Sequence, residues 1–169
     1  MSSLIEFYQH SGGTQDGHTW EQIMQWNDER LEKVHTYIQW LFPLDEPSQA
    51  QPSSPVLTNS DREVFLHDES IRQRMRQSLD RMLQFYGLYW LTLDGNRVVD
   101  LSPEWGSRCG HWLRHDNHNF LRLTRILRSL RLLGFGEEAK ALQTCLLDLR
   151  RSFPHIIGSR AARFWESAV

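Results

Sequence analysis

Cysteine is scarce in this chain. Only Cys109 and Cys145 stand among 169 residues, too few for a disulfide framework, and a reducing compartment is the simpler setting for them. Excess charge of either sign is missing too. The formal net charge is −2, with 19 basic against 21 acidic side chains, so no bulk positive field exists to draw in nucleic acid. No run of about 18 apolar residues occurs, which argues against a membrane-spanning helix. The opening residues Met1-Ser2-Ser3-Leu4-Ile5-Glu6 lack the basic region and apolar core of a signal peptide. A soluble, cytoplasmic protein is therefore expected. Chemistry-bearing motifs are also absent. There is no Gly-rich phosphate loop, no Gly-x-Ser-x-Gly elbow and no HExxH zinc motif, and no RRM, KH, zinc-finger or helix-turn-helix signature. These absences leave no recognisable enzyme active site, and they make nucleic acid an unexpected partner.

Apolar residues at 40% and charged residues at 24% lie near the soluble globular average. The length suits one domain spanning 1–169, large enough to bury a core without disulfides or metal. Seven tryptophans imply a core packed by large rings or an aromatic recognition surface.

Helical punctuation recurs along the chain. Residues 1–18 are polar and Gly-containing and read as irregular. Thr19-Trp20-Glu21-Gln22 is a capping box. Asn27 followed by Asp28 and Glu29 opens a second helix, whose stripe of Leu31, Val34, Ile38, Leu41 and Phe42 predicts a run as far as Pro43. Pro43, Pro47, Pro52 and Pro55 mark a surface loop. Ser60-Asp61-Arg62-Glu63 reads as another capping box. Asp68 caps a long helix whose stripe passes through Ile71, Met75, Leu79, Met82, Leu83, Tyr86 and Trp90. Asp94-Gly95-Asn96 is a turn, and its flanks admit a small hairpin. Ser102-Pro103-Glu104 starts a short helical turn. Asp116 or Asn117 caps a helix carrying Phe120, Leu123, Ile126, Leu127, Leu130 and Leu133, stopped by Gly134. Helices from Glu137 and from near Ser159 complete the chain. The predicted fold is all-α: an irregular bundle of about seven helices with at most one small hairpin.

Two polar stripes bear on function. Asp28, Glu32, His35 and Gln39 share helical spacing, as do His118, Arg122, Arg125 and Ser129. The first is acidic and the second basic. If the two helices pack side by side, Glu32 faces Arg122 or Arg125, and the stripes form an ion-pair network of the kind buried charge requires. Alternatively they frame a polar cleft in which the guanidinium groups hold a carboxylate or phosphate, or they remain two solvated faces. His111, His115 and His118 beside Asp116 fall near zinc spacing. The helix is expected to start after His115, however, so no metal site is expected. Arg114, Arg122, Arg125, Arg128 and Arg131 make one basic segment, read either as a solvated face with aliphatic stems covering neighbours or as a contact for RNA, DNA or an acidic partner. Leu121 and Leu132 lie among these arginines, on a second packing face or a partner surface. Trp26, Tyr37 and Trp40 would share one side if their helices were continuous. Cys109 with His111 nearby lacks the motif context of a nucleophile.

Several segments resemble a known family. They are Trp20-Glu21-Gln22-Ile23, Trp26-Asn27-Asp28-Glu29, Tyr37-Ile38-Gln39-Trp40-Leu41-Phe42-Pro43-Leu44, Phe85-Tyr86-Gly87, and the block from His118 through Thr124-Arg125-Ile126-Leu127 to Leu133-Gly134. Together they are similar to the signature of the opioid growth factor receptor conserved domain, over roughly Phe7 to Leu147. Phe120, Arg131 and Leu132 depart from the usual pattern, and the repeat-rich acidic tail of vertebrate members is absent, as in a minimal, microbial type. The resemblance implies an all-helical domain, named for binding an opioid pentapeptide in vertebrates, and no catalytic activity. The resulting expectation is a non-catalytic module that binds a peptide, protein or anionic ligand, without metal or cofactor. Its candidate site residues are Glu32, His35, His118, Arg122 and Arg125. The rival is an enzyme with an unfamiliar helical site built from Glu32, His35, His118 and Arg122.

Overall fold

A computed structural model describes every residue, Met1–Val169. Its elements in chain order are α1 (Ser3–Tyr8), α2 (Trp20–Met24), α3 (Asp28–Lys33), α4 (Ile38–Leu41), α5 (Asn59–His67), α6 (Glu69–Tyr86), β1 (Leu88–Leu93), β2 (Asn96–Leu101), α7 (Trp105–Arg108), α8 (Asn119–Leu132), α9 (Gly136–Ser152) and α10 (Ser159–Ser167). The chain is predominantly α-helical, and its sole sheet is the β1–β2 hairpin. The residues fall into two compact units. One comprises Met1–Arg81 with Leu132–Gly134, the other Met82–Arg131 with Phe135–Val169.

In the first unit the sequence signals are mostly obeyed. The Thr19–Gln22 capping box forms as read, with the side chain of each residue accepting from the backbone N–H of the other. Asn27 caps α3 by accepting from the Arg30 N–H at 2.9 Å. The box read at Ser60 is displaced: Thr58 is the N-cap of α5 and Asp61 completes the box with it. Asp61, bonded also to the Ser2 hydroxyl at 2.5 Å, is thereby satisfied although buried. Asp68 receives the N–H groups of Ser70 and Ile71 at the start of α6.

The helix read from Asn27 to Phe42 does not run through. α3 ends at Lys33, and Val34 is extended (φ −84°, ψ 129°). The Tyr37 hydroxyl donates to the Leu31 carbonyl at 2.9 Å. That bond satisfies an acceptor freed by ending α3 early. Leu31 and Ile38 are both buried nonetheless, so the apolar spacing that suggested one helix is met by two short ones.

In the second unit, α6 ends where Gly87 adopts φ +76°, and a Cβ there would approach the Trp105 backbone to 3.2 Å. This is why the stripe read as far as Trp90 stops at Tyr86. Trp90 belongs instead to β1, paired with Val99, and the Arg97 guanidinium lies 4.1 Å from its ring centroid. The hairpin is antiparallel with Leu93 opposite Asn96, closed by the turn at Asp94-Gly95. β2 packs against α9, and α9 against α10. A core of fully buried rings ties this unit together. Trp112 Nε1 donates to the Tyr86 carbonyl at 3.0 Å, and Trp165 Nε1 to the Phe120 carbonyl at 3.2 Å. Each indole thus pairs its only donor while burying its rings.

Ten helices stand where about seven were expected. The excess comes from the broken helix at Val34 and from short pieces too brief to show a full apolar period.

Candidate functional site

The five candidate residues divide between the units. Glu32 and His35 belong to the first, and His118, Arg122 and Arg125 to the second. Glu32 lies within α3 and is half-buried. His35 follows in the irregular turn after Val34 and is exposed, and Gln39 is on α4 and buried. Asp28, Glu32, His35 and Gln39 therefore do not form one stripe on one helix, because the axis breaks between the second and third. Asp28 pairs with Arg81, whose Nη2 reaches its carboxylate at 2.9 Å and the Trp26 carbonyl at 2.8 Å. Sequence reading did not find Arg81, since nothing in its spacing points to residue 28.

The basic set is better ordered. Arg122, Arg125 and Ser129 lie on α8, and His118 immediately precedes it. Arg122 is only 5% exposed and sits in a polar cluster built around Asn119. The Asn119 amide oxygen accepts from the Tyr86 hydroxyl at 3.2 Å and lies 3.5 Å from Arg122 Nη1. The amide nitrogen donates to Asn117 Oδ1 at 2.9 Å and stands 3.5 Å from His118 Nε2. Asn117 Oδ1 also accepts the Asn119 backbone N–H, at 2.9 Å, and so covers an open donor at the start of α8. Buried polar groups of this kind must be paired to be tolerated, and Asn119 serves four neighbours at once.

Beside this cluster a groove of about 400 Å³ opens between the start of α8 and α10. Phe120 and Ala161 are its buried apolar lining, and Leu121 and Phe164 stand exposed at its sides. His118 and Arg160 also line it, and the Arg160 guanidinium lies 5.7 Å from the centroid of Phe164. The volume is in the range of small-ligand or anchor-residue pockets, and the mix of apolar lining with a few polar groups is the usual composition of a recognition site. Sequence reading found His118 and singled out Leu121. It missed Arg160 and Phe164, spaced four apart on α10, because nothing short of the folded chain joins residues 118–124 to residues 156–164.

The remaining candidates are separated or engaged elsewhere. His111 lies in a 3-10 turn with its ring 4.6 Å from Phe85, and His115 is in the turn before α8, so these two and His118 share no helix face. No group of three or more His, Cys, Asp or Glu side chains is placed to hold a metal ion. Trp26 and Tyr37 meet edge to face at 5.6 Å, while Trp40 packs against Phe7 at 5.5 Å. Cys109 and Cys145 are both free thiols. Burial, with Asp100 and Asp148 nearby, pushes the Cys145 thiol up to about 12. No helix is long and apolar enough to cross a membrane.

The opioid growth factor receptor (OGFr) conserved region matches this chain over residues 2–154. The chain belongs to that family. Its relatives include the opioid growth factor receptor of Rattus norvegicus, 41% identical over 117 residues, which cover 68% of this chain and 20% of that protein. The receptor of Homo sapiens is 37% identical over 142 residues, covering 80% of this chain and 20% of that protein. Opioid growth factor receptor-like protein 1 of Mus musculus is 38% identical over 117 residues, covering 68% and 24%. This chain thus spans about a fifth to a quarter of the length of these relatives. No solved structure matches it. The OGFr match includes α8 and His118, Arg122 and Arg125, but ends at residue 154, before α10. One side of the groove therefore lies outside the matched region.

Proposed function

We propose that this OGFr conserved region is a non-catalytic binding module that takes a peptide or another anionic ligand at the start of α8. The observation that supports this is the groove itself: His118 lines an opening of about 400 Å³ in which apolar Phe120, Leu121, Ala161 and Phe164 stand beside charged Arg160 and Asp116. In this reading His118 and Arg125 contact the ligand. Arg122, buried with Asn119, holds the start of α8 in place beneath them. The relatives' names describe receptors and receptor-like proteins rather than enzymes, which is in keeping with a binding role. A cytoplasmic location belongs to the same proposal, and the two free thiols support it.

The test is an isotope-edited NMR titration of the whole chain with a panel of peptides, including an opioid pentapeptide, and with inorganic phosphate. A saturable ligand should shift amide signals in α8, and His118→Ala with Arg125→Ala should weaken it. Saturable binding that leaves α8 unmoved would refute the site. Turnover of a bound peptide would refute the non-catalytic reading.

A further inference from the structure

The two helices that flank the groove are strongly asymmetric in charge. α8 carries Arg122, Arg125, Arg128 and Arg131 and no acidic residue. α10 carries Arg160 and Arg163 against Glu166. This bias stands out in a chain whose overall charge is only −2. The same helices present two of the molecule's few exposed large apolar side chains, Leu121 at 65% and Phe164 at 40% exposure. An isolated exposed leucine needs no explanation, but an exposed leucine and phenylalanine lining one groove beside the Arg160 guanidinium form a patch with two kinds of complementarity.

We infer that the groove between α8 and α10 docks an acidic peptide segment, with one large apolar side chain inserted between Leu121 and Phe164 and a carboxylate set against Arg160. The inference rests on the binding-module reading above and adds the occupant's chemistry and its contacts. An apolar anchor is required because the groove's lining at Phe120 and Ala161 offers no charged partner. The volume accommodates an aromatic or branched aliphatic side chain with part of its backbone. A carboxylate is required because Arg160 presents a fork of donors suited to planar anions. Arg160 and Phe164 lie one turn apart on the same face of α10, so anchor and carboxylate are recognised side by side. Asp116 lies at the same opening. It disfavours acidic residues at that end and so sets the direction in which a bound segment runs.

Nucleic acid is a polyanion that the solvent-accessible arginines of these two helices could also attract, and the test must separate it. A random peptide library displayed on phage is selected against the intact chain and counter-selected against Leu121→Asp. The leading peptide and a single-stranded oligonucleotide are then measured by fluorescence anisotropy. Leu121, Phe164, Arg160 and Arg163 are exposed, so their variants should fold, and circular dichroism checks this. Enriched peptides should combine Asp or Glu with one Phe, Trp, Leu or Ile. Leu121→Asp and Arg160→Glu should each weaken them by about tenfold or more. Replacing the peptide's acids by Lys should abolish binding to the native chain and restore part of it to the Arg160→Glu, Arg163→Glu double variant. Basic or charge-indifferent peptides would overturn the inference, as would an oligonucleotide that binds more tightly than any peptide. Peptides that respond to Arg125→Ala but not to Leu121→Asp would overturn it while leaving the binding-module reading standing. A selection that enriches nothing would sink both.

Discussion

Replacing Gly134 by alanine and Gly136 by alanine should move stability in opposite directions, although the two lie two residues apart. Gly134 closes α8 with φ +78°. Across it the Phe135 N–H donates to the Leu130 carbonyl at 2.8 Å, the six-to-one bond of a Schellman stop, and both of those side chains are buried. The Arg72 guanidinium covers the Leu133 and Gly134 carbonyls at 3.3 and 3.4 Å. An L-residue held in the left-handed region costs about 1–2 kcal/mol. A Cβ at residue 134 would also come within 2.6 Å of Leu66 Cδ2, but Leu66 is partly exposed and can swing aside, so the backbone cost dominates. Gly136, the first residue of α9, has no positive φ and nothing within 4 Å of its would-be Cβ. Alanine there should stabilise by about 0.4–1 kcal/mol, chiefly by restricting the unfolded chain. For a domain of this size about 1 kcal/mol corresponds to roughly 2–4 °C. Differential scanning calorimetry should therefore show Gly134→Ala melting about 2–8 °C below the native chain and Gly136→Ala about 1–4 °C above it. Combining Gly134→Ala with Leu66→Ala separates strain from collision: the penalty of the alanine should shrink only slightly. A neutral or stabilising Gly134→Ala would refute the left-handed stop, and with it the explanation of where α8 ends.

Four further outcomes follow from the second unit. Tyr86→Phe and Asn119→Ala should each cost about 1–3 kcal/mol in urea unfolding, because each leaves buried polar groups unpaired. Their double-mutant cycle should show coupling of about 0.5 kcal/mol or more, and strict additivity would mean that the 3.2 Å contact carries no energy. Trp165→Ala, which empties a fully buried site and removes the indole donor from the Phe120 carbonyl, should cost about 3–5 kcal/mol and should also raise hydrogen exchange along α10; unchanged exchange would show that the indole does not hold the groove together. The raised thiol of Cys145 fixes the sign of an alkaline effect. Its folded value of about 12 lies above the ordinary 9.0, so the neutral thiol favours the folded state fully below pH 9.0 and this contribution is lost as pH rises towards 12. Cys145→Ala should flatten that alkaline loss. A disulfide-exchange reagent near neutral pH should label half-exposed Cys109 well before Cys145, and equal rates would contradict the burial.

Local signals proved legible wherever a few adjacent residues decide the outcome. The Thr19 capping box, the Asn27 and Asp68 caps, the Asp94-Gly95 turn and the Gly134 stop all depend on side-chain and backbone groups within about one turn of each other. The family resemblance was equally legible, because its motifs run through α2, α3, α4 and α8. Apolar spacing was a weaker guide. It joined Leu31 to Ile38 and Tyr86 to Trp90, since periodicity records only that residues face a core and not whether one helix carries them there. Val34 and Gly87 broke those runs through a backbone setting and a hydroxyl bond from Tyr37 that the pattern does not encode. The candidate site divides the same way. The chemistry of His118, Arg122 and Arg125 was readable from residue type and spacing along α8. Which of them is buried, and what stands across from them, was not. Arg122 is enclosed with Asn119, and the groove that His118 lines is completed by Arg160 and Phe164. Sequence distance carries no information about such a meeting. It is settled when α10 packs against α9 and buries Trp165, with the indole N–H on the Phe120 carbonyl.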